Sequence, residues 1–128
     1  MLSNARIFSS FSVDNIIEAK RFYTEVLALD ACIGEMGVLE IKTGGTVVAI
    51  AYPKENHTPA TFTVLNFVVE DVEKTVDELT GKGVVFEQYD QPHLKTDEKG
   101  ISWGNGGPTI AWFKDTAGNI LSVLQEKS

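Results

Sequence analysis

The segments FSVDN, residues 11–15, and FVVED, residues 67–71, are two versions of one pattern. Phe11 aligns with Phe67 and Asn15 with Asp71, and both pairs are 56 residues apart. Each segment is rich in β-branched and aromatic residues, which favour strands. Each also ends at an Asx side chain that can accept a hydrogen bond from the first amides of a helix. The pattern therefore predicts a strand followed by a capped helix, twice in one chain.

Helical spacing follows each of these segments, and further strands follow each helix. The turns KTGGT, residues 42–46, and KDTAGN, residues 114–119, both precede a last aliphatic strand, and the two last strands align at an offset of 73 residues. Gly83 is predicted to end the second helix. The side chains predicted to form the core beneath the helices are Phe11, Val13, Phe22, Val26, Phe67, Val69, Val76 and Leu79.

These repeats predict a single α+β domain over residues 1–128, built from two tandem β-α-β-β-β modules. Module 1 covers about residues 5–53, residues 54–60 form a linker, and module 2 covers about residues 61–126. We expect a pseudo-twofold arrangement in which a cupped, mixed and largely antiparallel sheet has its helices on the outside. VVFEQY, residues 84–89, is predicted as a strand, and residues 90–107 as a long loop.

Composition narrows the possible partners. The net charge is −7 without a cluster of Lys and Arg, so nucleic acid is not an expected partner. An apolar run of the roughly 18 residues that a spanning helix needs is absent, so we expect no membrane association. The N-terminal stretch lacks the features of a signal peptide. The single cysteine, Cys32, cannot form an internal disulfide, which fits a cytoplasmic protein, and we predict that it is a small core residue.

Three stretches resemble the vicinal oxygen chelate superfamily: VDNIIEAKRFYTEVL at residues 13–27, VEDVEKTVDEL at residues 69–79 and WFKDTAGNILSVLQ at residues 112–125. The last is similar to the F-x-D-P-x-G-N ending of that family, with Thr116 where proline is usual. The superfamily includes glyoxalase I, extradiol dioxygenases, methylmalonyl-CoA epimerase, and the bleomycin and fosfomycin resistance proteins. Because this scaffold hosts many chemistries, the resemblance implies the fold far more firmly than the activity.

In metal-dependent members, four side chains bind one divalent ion inside the cavity. The resemblance carries these positions onto Phe8, Ala49, Val64 and Ser122. Three of the four offer no donor atom, and a neutral serine hydroxyl is a weak ligand for a divalent ion. The expectation is therefore that the protein holds no metal at this site and needs no cofactor.

Strand alternation predicts a mostly apolar cavity with a few polar groups, the usual composition of a small-molecule site. Ser122 either donates a hydrogen bond to a bound molecule or is merely small enough to fit. Trp103, in the long loop, either closes over an aromatic or cationic ligand or packs against the domain or a partner subunit. The predicted ligand-binding residues are Phe8, Ser10, Ala49, Phe62, Val64, Asn66, Trp103, Trp112 and Ser122.

Three functions stay open at this point. The first is binding of a small organic molecule without a metal, similar to the antibiotic-sequestering resistance proteins, which bind a cationic drug between two subunits. The second is a metal-dependent lyase, isomerase or dioxygenase whose ligands moved to His57, His93 or the loop acids Asp97 and Glu98. The third is an interaction domain without a small ligand. Under the first reading both histidines and both acids are solvated loop residues, and the resemblance implies a homodimer.

Overall fold

The computed structural model describes residues 1–104 and 107–126, and the chain divides into two compact units, Met1–Pro59 and Ala60–Ser128. Each unit has its own four-stranded sheet and its own helix. Over the described residues, no helix is long and apolar enough to cross a membrane. The predicted α+β layout of two β-α-β-β-β modules is confirmed.

Unit 1 begins with a 3-10 turn, and its helix is capped as the sequence predicts. The Asn15 side chain accepts a hydrogen bond from the Glu18 amide over 3.0 Å. The sheet order is β1-β4-β3-β2, in which β1 runs parallel to β4 and the other pairs are antiparallel. The elements are the 3-10 turn Leu2–Asn4, β1 Ser9–Val13, α1 Ile16–Arg21 with a π-helical continuation Phe22–Val26, β2 Asp30–Ile33, β3 Leu39–Thr43 and β4 Thr46–Pro53.

Unit 2 repeats this order and adds a small hairpin. The Asp71 side chain caps α2 by accepting from the Lys74 amide over 3.1 Å. The sheet order is β5-β10-β9-β8, with β5 parallel to β10. The hairpin of β6 and β7 stands outside this sheet. The elements are β5 Thr63–Val68, α2 Val72–Gly81, β6 Asp90–Gln91, β7 Leu94–Lys95, β8 Ile101–Ser102, β9 Thr109–Lys114 and β10 Ile120–Gln125.

As predicted, Gly83 follows the end of helix α2 directly after its C-cap, and its φ of 95° is a conformation that glycine tolerates. The Gly83 amide donates to the Thr80 carbonyl and the Val84 amide to the Leu79 carbonyl, both over 3.0 Å. These two bonds form the Schellman arrangement that satisfies the last carbonyls of a helix.

The segment after α2 differs from its prediction. VVFEQY, residues 84–89, does not form a strand: only an isolated bridge joins Phe86 to Phe113 of β9. The place beside β9 in the sheet is taken by β8. Residues 90–107, predicted as a loop, contain the hairpin and β8, and residues 105 and 106 lie outside the described residues.

The core of each unit lies on the sheet face that meets its helix. In unit 2, Leu121 and Val123 share this face with Ala111 and Phe113, and all four are buried. Of the predicted core residues, Phe11, Val13, Phe22 and Val76 are buried, while Val26, Phe67, Val69 and Leu79 are half-buried. Cys32 was predicted to be a core residue, and this is wrong: it is exposed on β2, the edge strand of its sheet.

Ala49 corrects the predicted cavity lining. It is 0% exposed and pairs with Ile41, two residues along β4 from Ala51, which pairs with Phe11 and Leu39. Paired and alternate residues project to the same face of a sheet, so Ala49 lies on the helix face and not on the predicted cavity face.

A β-bulge explains the error. The register between β3 and β4 shifts between Ile41 and Lys42, which pair with Ala49 and Val47, so that Val48 is the extra residue. One inserted residue exchanges the two faces for every position beyond it. Ile50 pairs with Ser10, and Ser122 pairs with Asn66, which is the residue of β5 that aligns with Ser10. Ile50 is therefore the counterpart of Ser122, 72 residues away.

The turn before β10 is a buried polar network. Asp115 Oδ1 accepts from the amides of Ala117 and Asn119, over 2.9 and 2.8 Å. The Asn119 side chain donates to Asp115 Oδ2 over 3.2 Å and accepts from the Ala60 amide over 3.1 Å. Because Asp115 and Asn119 are both buried, these bonds give DTAGN a structural role that fixes the start of unit 2.

Candidate functional site

Unit 2 contains an open cleft of about 800 Å³. It lies over the sheet face opposite α2, because Ile110 and Trp112 of β9 alternate with the buried Ala111 and Phe113. Its walls are the β6–β7 hairpin, the turn that follows it and the approach to β9. The lining residues are Pro92, His93, Leu94, Lys95, Thr96, Asp97, Ile101, Ser102, Trp103, Gly104, Gly107, Pro108, Ile110 and Trp112.

The Trp112 ring packs against the Tyr89 ring. The two rings meet edge to face, with centroids 5.6 Å apart and planes at 82°. Thr96 joins this layer to the hairpin, because its Oγ1 accepts from the Tyr89 amide over 2.8 Å and its own amide donates to the Tyr89 carbonyl over 2.9 Å. Burial, followed by the nearby Glu87 carboxylate, raises the pKa of Tyr89, so its phenol is neutral at physiological pH.

Asp97 organises the opposite wall. Its Oδ1 accepts from the amides of Lys99 and Ile101, both over 2.9 Å, and its Oδ2 accepts from the Trp103 indole Nε1 over 2.8 Å. Burial alone raises the pKa of Asp97, but the hydrogen bonds from Ile101, Trp103 and Lys99 outweigh it and lower that pKa below its ordinary value. Asp97 and Glu98 were predicted to belong to a solvated face: Glu98 is exposed, whereas Asp97 is half-buried and its carboxylate bonds the Trp103 indole.

Two contacts hold the turn that carries Asp97. The Lys99 ammonium lies 3.2 Å from Glu73 Oε2 and 3.0 Å from Asp77 Oδ1, both on α2. At Gly100, where φ is 87°, a Cβ would stand 2.7 Å from the Phe86 Cβ and 2.8 Å from the Glu87 carbonyl oxygen. A side chain has no room there, so the backbone of the turn packs directly on the segment after α2.

The predicted polar pair of the sheet face, Asn66 and Ser122, is in direct contact. The Ser122 hydroxyl donates to Asn66 Oδ1 over 2.5 Å, and the register places Ser122 beside Trp112. Ser122 is 0% exposed whereas Asn66 is exposed, so Asn66 presents the polar surface of this pair. This geometry favours the reading in which Ser122 is a small residue bonded within the sheet.

The other predicted site residues lie apart from the cleft lining. In unit 2, Phe62 precedes β5 and is 67% exposed, and Val64 sits at a register shift in β5 and is half-buried. In unit 1, Phe8 precedes β1, with the Arg6 guanidinium carbon 5.2 Å from its ring centroid, and Ser10 is exposed on β1. Of the nine predicted residues, the cleft contains Trp103 and Trp112.

The two histidines differ from each other. His57 was predicted to be a solvated loop residue, but it is half-buried, with its Nδ1 2.6 Å from the Ser12 hydroxyl. His93 is exposed at the rim of the cleft. Within residues 1–104 and 107–126, no group of three or more His, Cys, Asp or Glu side chains is placed to hold a metal ion.

Sequence reasoning named Trp103 and Trp112 as ligand-binding residues and His93 and Asp97 only as alternative metal ligands, and it did not predict that a hairpin and a turn build the cleft walls. The hairpin residues and Asp97 carry no strand-like or catalytic pattern. The stretch T-D-E-K-G, residues 96–100, does contain a signal, because an aspartate followed closely by a glycine commonly forms an Asx turn. In such a turn the aspartate side chain accepts from a backbone amide about two residues further on. That signal predicts a turn, and only the fold brings the turn beside Trp112.

The chain matches the family model of the Glyoxalase/Bleomycin resistance protein/Dioxygenase superfamily over residues 8–123, and it belongs to that superfamily. No curated protein matches it in sequence.

Solved structures agree with this assignment at the level of the fold. A superfamily member from Sphaerobacter thermophilus has a TM-score of 0.73 at 18% identity, covering 98% of this chain and 100% of that one. A lactoylglutathione lyase from Agrobacterium tumefaciens has a TM-score of 0.67 at 17% identity, covering 94% and 93%. An antibiotic binding protein from a Streptomyces species has a TM-score of 0.64 at 20% identity, covering 97% and 98%.

Proposed function

We propose that this protein binds a small organic molecule in the unit 2 cleft and does so without a divalent metal at the positions that metal-dependent relatives use. The observation that carries the proposal is the cleft itself, whose volume of about 800 Å³ falls in the range of small-molecule sites. Its lining combines two tryptophans and several aliphatic residues with a few polar groups. This is the composition that binds drug-sized ligands mainly by apolar contact.

The donor chemistry supports a metal-free site. Phe8, Val64 and Ser122 stand at three of the four family positions, and the bulge in β4 changes the fourth from Ala49 to Ile50. Imidazole nitrogen and carboxylate oxygen are what divalent ions in such sites require. Three hydrocarbon side chains and one hydroxyl do not offset the cost of dehydrating a divalent ion.

The fold relatives suggest what kind of molecule to test. The Streptomyces protein binds an antibiotic, and it has the same fold as this chain over nearly its whole length. We therefore propose an antibiotic-like or metabolite-sized organic compound, held by contact rather than converted. A cytoplasmic location remains a proposal based on the single cysteine.

We also propose a homodimer. Both units leave large apolar side chains exposed, among them Phe8 and Val48 in unit 1 and Phe62 and Val68 in unit 2. A small domain commonly covers such side chains by pairing with a second copy. Light scattering in the presence of a reductant should give twice the mass of the chain, and a monomer would refute this part of the proposal.

A ligand screen tests the main proposal. Thermal shift against aromatic antibiotics and metabolites should yield binders that also quench tryptophan fluorescence. Trp112→Ala should weaken binding by about tenfold or more, because a stacked aromatic contributes about 0.5–1.5 kcal/mol beyond its buried area. Val85→Ala is the matched control, because Val85 is exposed in the same unit and does not line the cleft.

Metal analysis separates the proposal from a metal-dependent enzyme. Purified protein should contain no divalent metal in stoichiometric amount, and chelator treatment should leave ligand affinity unchanged. Stoichiometric Ni, Zn, Mn or Fe that is lost together with an activity would instead support a lyase, isomerase or dioxygenase. A protein that responds to no compound in the screen would support an interaction domain.

A further inference from the structure

We infer that Asp97 is a positioning residue that holds the Trp103 indole at the cleft, and that it is not the counter-charge of a cationic ligand. Because the charges of the lining cancel, the same inference assigns to the cleft an uncharged, flat aromatic molecule. The second statement rests on the proposed function, whereas the first concerns the protein alone.

The hydrogen bonds of Asp97 support the positioning role. Three N–H donors converge on its carboxylate, and both oxygens are engaged within 2.9 Å. Two donors are backbone amides of its own turn, and the third is the Trp103 side chain. Carboxylates that accept several N–H bonds are strongly satisfied within the protein and gain less from an external cation. The negative charge therefore fixes Trp103, which is otherwise 55% exposed.

The charges around the cleft also argue against selection of a cation. Among the described residues that line the cleft, the acidic and basic side chains are Lys95 and Asp97, and their charges have opposite signs. Lys99, on the same turn, is directed to Glu73 and Asp77 of α2. The acidic excess of the chain is thus not concentrated at this site, and the remaining surface is mainly aromatic and aliphatic.

The turn that carries Asp97 is itself held in place, so the Asp97–Trp103 hydrogen bond can fix the indole. The Lys99 contacts and the close packing of Gly100 hold the backbone that presents Asp97. A side chain fixed before binding loses less conformational entropy when the ligand arrives. Trp103 is therefore positioned to bind one face of a flat ring. Loss of the Asp97–Trp103 bond should lower the affinity for such a ligand.

Two substitutions isolate this bond. Asp97→Asn keeps the oxygen that accepts from Lys99 and Ile101 but places an NH₂ group opposite the indole N–H, where two donors cannot bond. Trp103→Phe keeps an aromatic ring and removes the N–H. Glu98→Gln is the matched control, because it neutralises the adjacent exposed carboxylate.

The first measurement needs no ligand. In a Trp112→Phe background, fluorescence reports Trp103 alone, since the chain has two tryptophans. Asp97→Asn should lower the steady-state anisotropy of Trp103 and shift its emission, while Glu98→Gln should change neither. Unaltered anisotropy in Asp97→Asn, with an unchanged far-ultraviolet circular dichroism spectrum, would overturn the positioning role.

The second measurement uses three matched probes: naphthalen-1-ylmethanol, naphthalen-1-ylmethylammonium and 1-naphthoate. The neutral alcohol should bind at least as tightly as either ion. Asp97→Asn and Trp103→Phe should each weaken it about five- to tenfold, as expected for a hydrogen bond to a charged group that is partly exposed. The double variant should be no weaker than the weaker single variant, because both changes remove the same bond.

The outcomes distinguish the positioning role of Asp97 from the class of ligand that the cleft binds. Binding of the ammonium probe about tenfold more tightly than the alcohol, with the preference lost in Asp97→Asn, would show that Asp97 is a counter-charge and would overturn the inference. Additive losses in the double variant would overturn it as well. Absence of binding by all three probes, with the anisotropy change present, would overturn the ligand class and weaken the proposed function while supporting the positioning role.

Discussion

Unit 1 and unit 2 share a strand order and a capped helix, but they differ in the segment that connects the helix to the third strand of the module. Phe11 and Phe67 start both patterns, and Asn15 and Asp71 cap both helices. Residues 27–38 then connect the helix of unit 1 to β3 through one strand, whereas residues 82–108 of unit 2 include a hairpin, an Asx turn and β8. The shared half of each unit specifies the fold, and the longer segment of unit 2 builds the cleft.

The turns before the last strands give the largest expected difference between the units. Asn119→Ala removes a buried side chain that bonds both Asp115 and the Ala60 amide, and it should lower the free energy of unfolding by about 3 kcal/mol. Thr46→Ala changes the aligned residue of unit 1, which is exposed, and should cost less than about 0.5 kcal/mol. Urea unfolding of both variants measures the contrast, and equal effects would show that the two turns are equivalent.

Two glycines with positive φ sharpen the comparison. Gly100→Ala must move the Phe86 side chain or the Glu87 backbone and also strains φ, so we expect a loss of about 3 kcal/mol and a reduced ligand affinity. Gly44→Ala, in unit 1, meets nothing within 4 Å and should cost only the backbone term of about 1 kcal/mol. Urea unfolding would contradict the close packing at Gly100 if both variants lost the same amount.

The corrected register predicts losses of stability of different size at two neighbouring residues of β4. Ala49→Leu adds volume to a fully buried position on the helix face and should cost about 2 kcal/mol. Ile50→Leu conserves volume at a half-buried position on the other face and should cost less than about 1 kcal/mol. If thermal unfolding ranked the two variants in the reverse order, the bulge at Val48 would be misplaced.

The smallest expected effect is the change of stability with pH that Asp97 causes, and the turn that carries Asp97 has no counterpart in unit 1. The folded-state pKa of Asp97 is lowered, so its contribution to stability is fully present above the ordinary aspartate pKa of about 3.9 and is lost as the pH falls through the folded value. Asp97→Asn should therefore be less stable than the parent at pH 7, by less than about 1 kcal/mol, with the gap closing below about pH 4. Urea midpoints across this range check the sign.

The parts of the fold that were predictable from sequence are those with local causes. The Asx caps, the helical spacing after them and Gly83 at the end of α2 each act through neighbours in the chain. The bulge at Val48 was not predictable, because KTGGTVV contains no residue that marks where a register shifts. A single insertion then reversed the face assigned to Ala49, although the assignment of Asn66, Trp112 and Ser122 to one face was correct.

The candidate site was less predictable because it depends on contacts distant in sequence. Trp112 could be placed by alternation, but the indole of Trp103 is fixed by a carboxylate six residues earlier, and that turn is held by α2 through Lys99. The sequence allows Ser122 two roles, a hydrogen bond to a bound molecule or a small residue that merely fits, and the structure shows its hydroxyl bonded to Asn66 on the neighbouring strand. Residue type alone could not decide between these roles.

The exposed position of Cys32 has a practical consequence for studying the molecule. One thiol lies in unit 1, while both tryptophans lie in unit 2. A maleimide dye attached at Cys32 would therefore act as an energy-transfer acceptor for two donors that both stand at the cleft. No substitution is therefore needed before energy transfer from the tryptophans to Cys32 can be measured. The same thiol calls for a reductant whenever the mass of the protein in solution is determined.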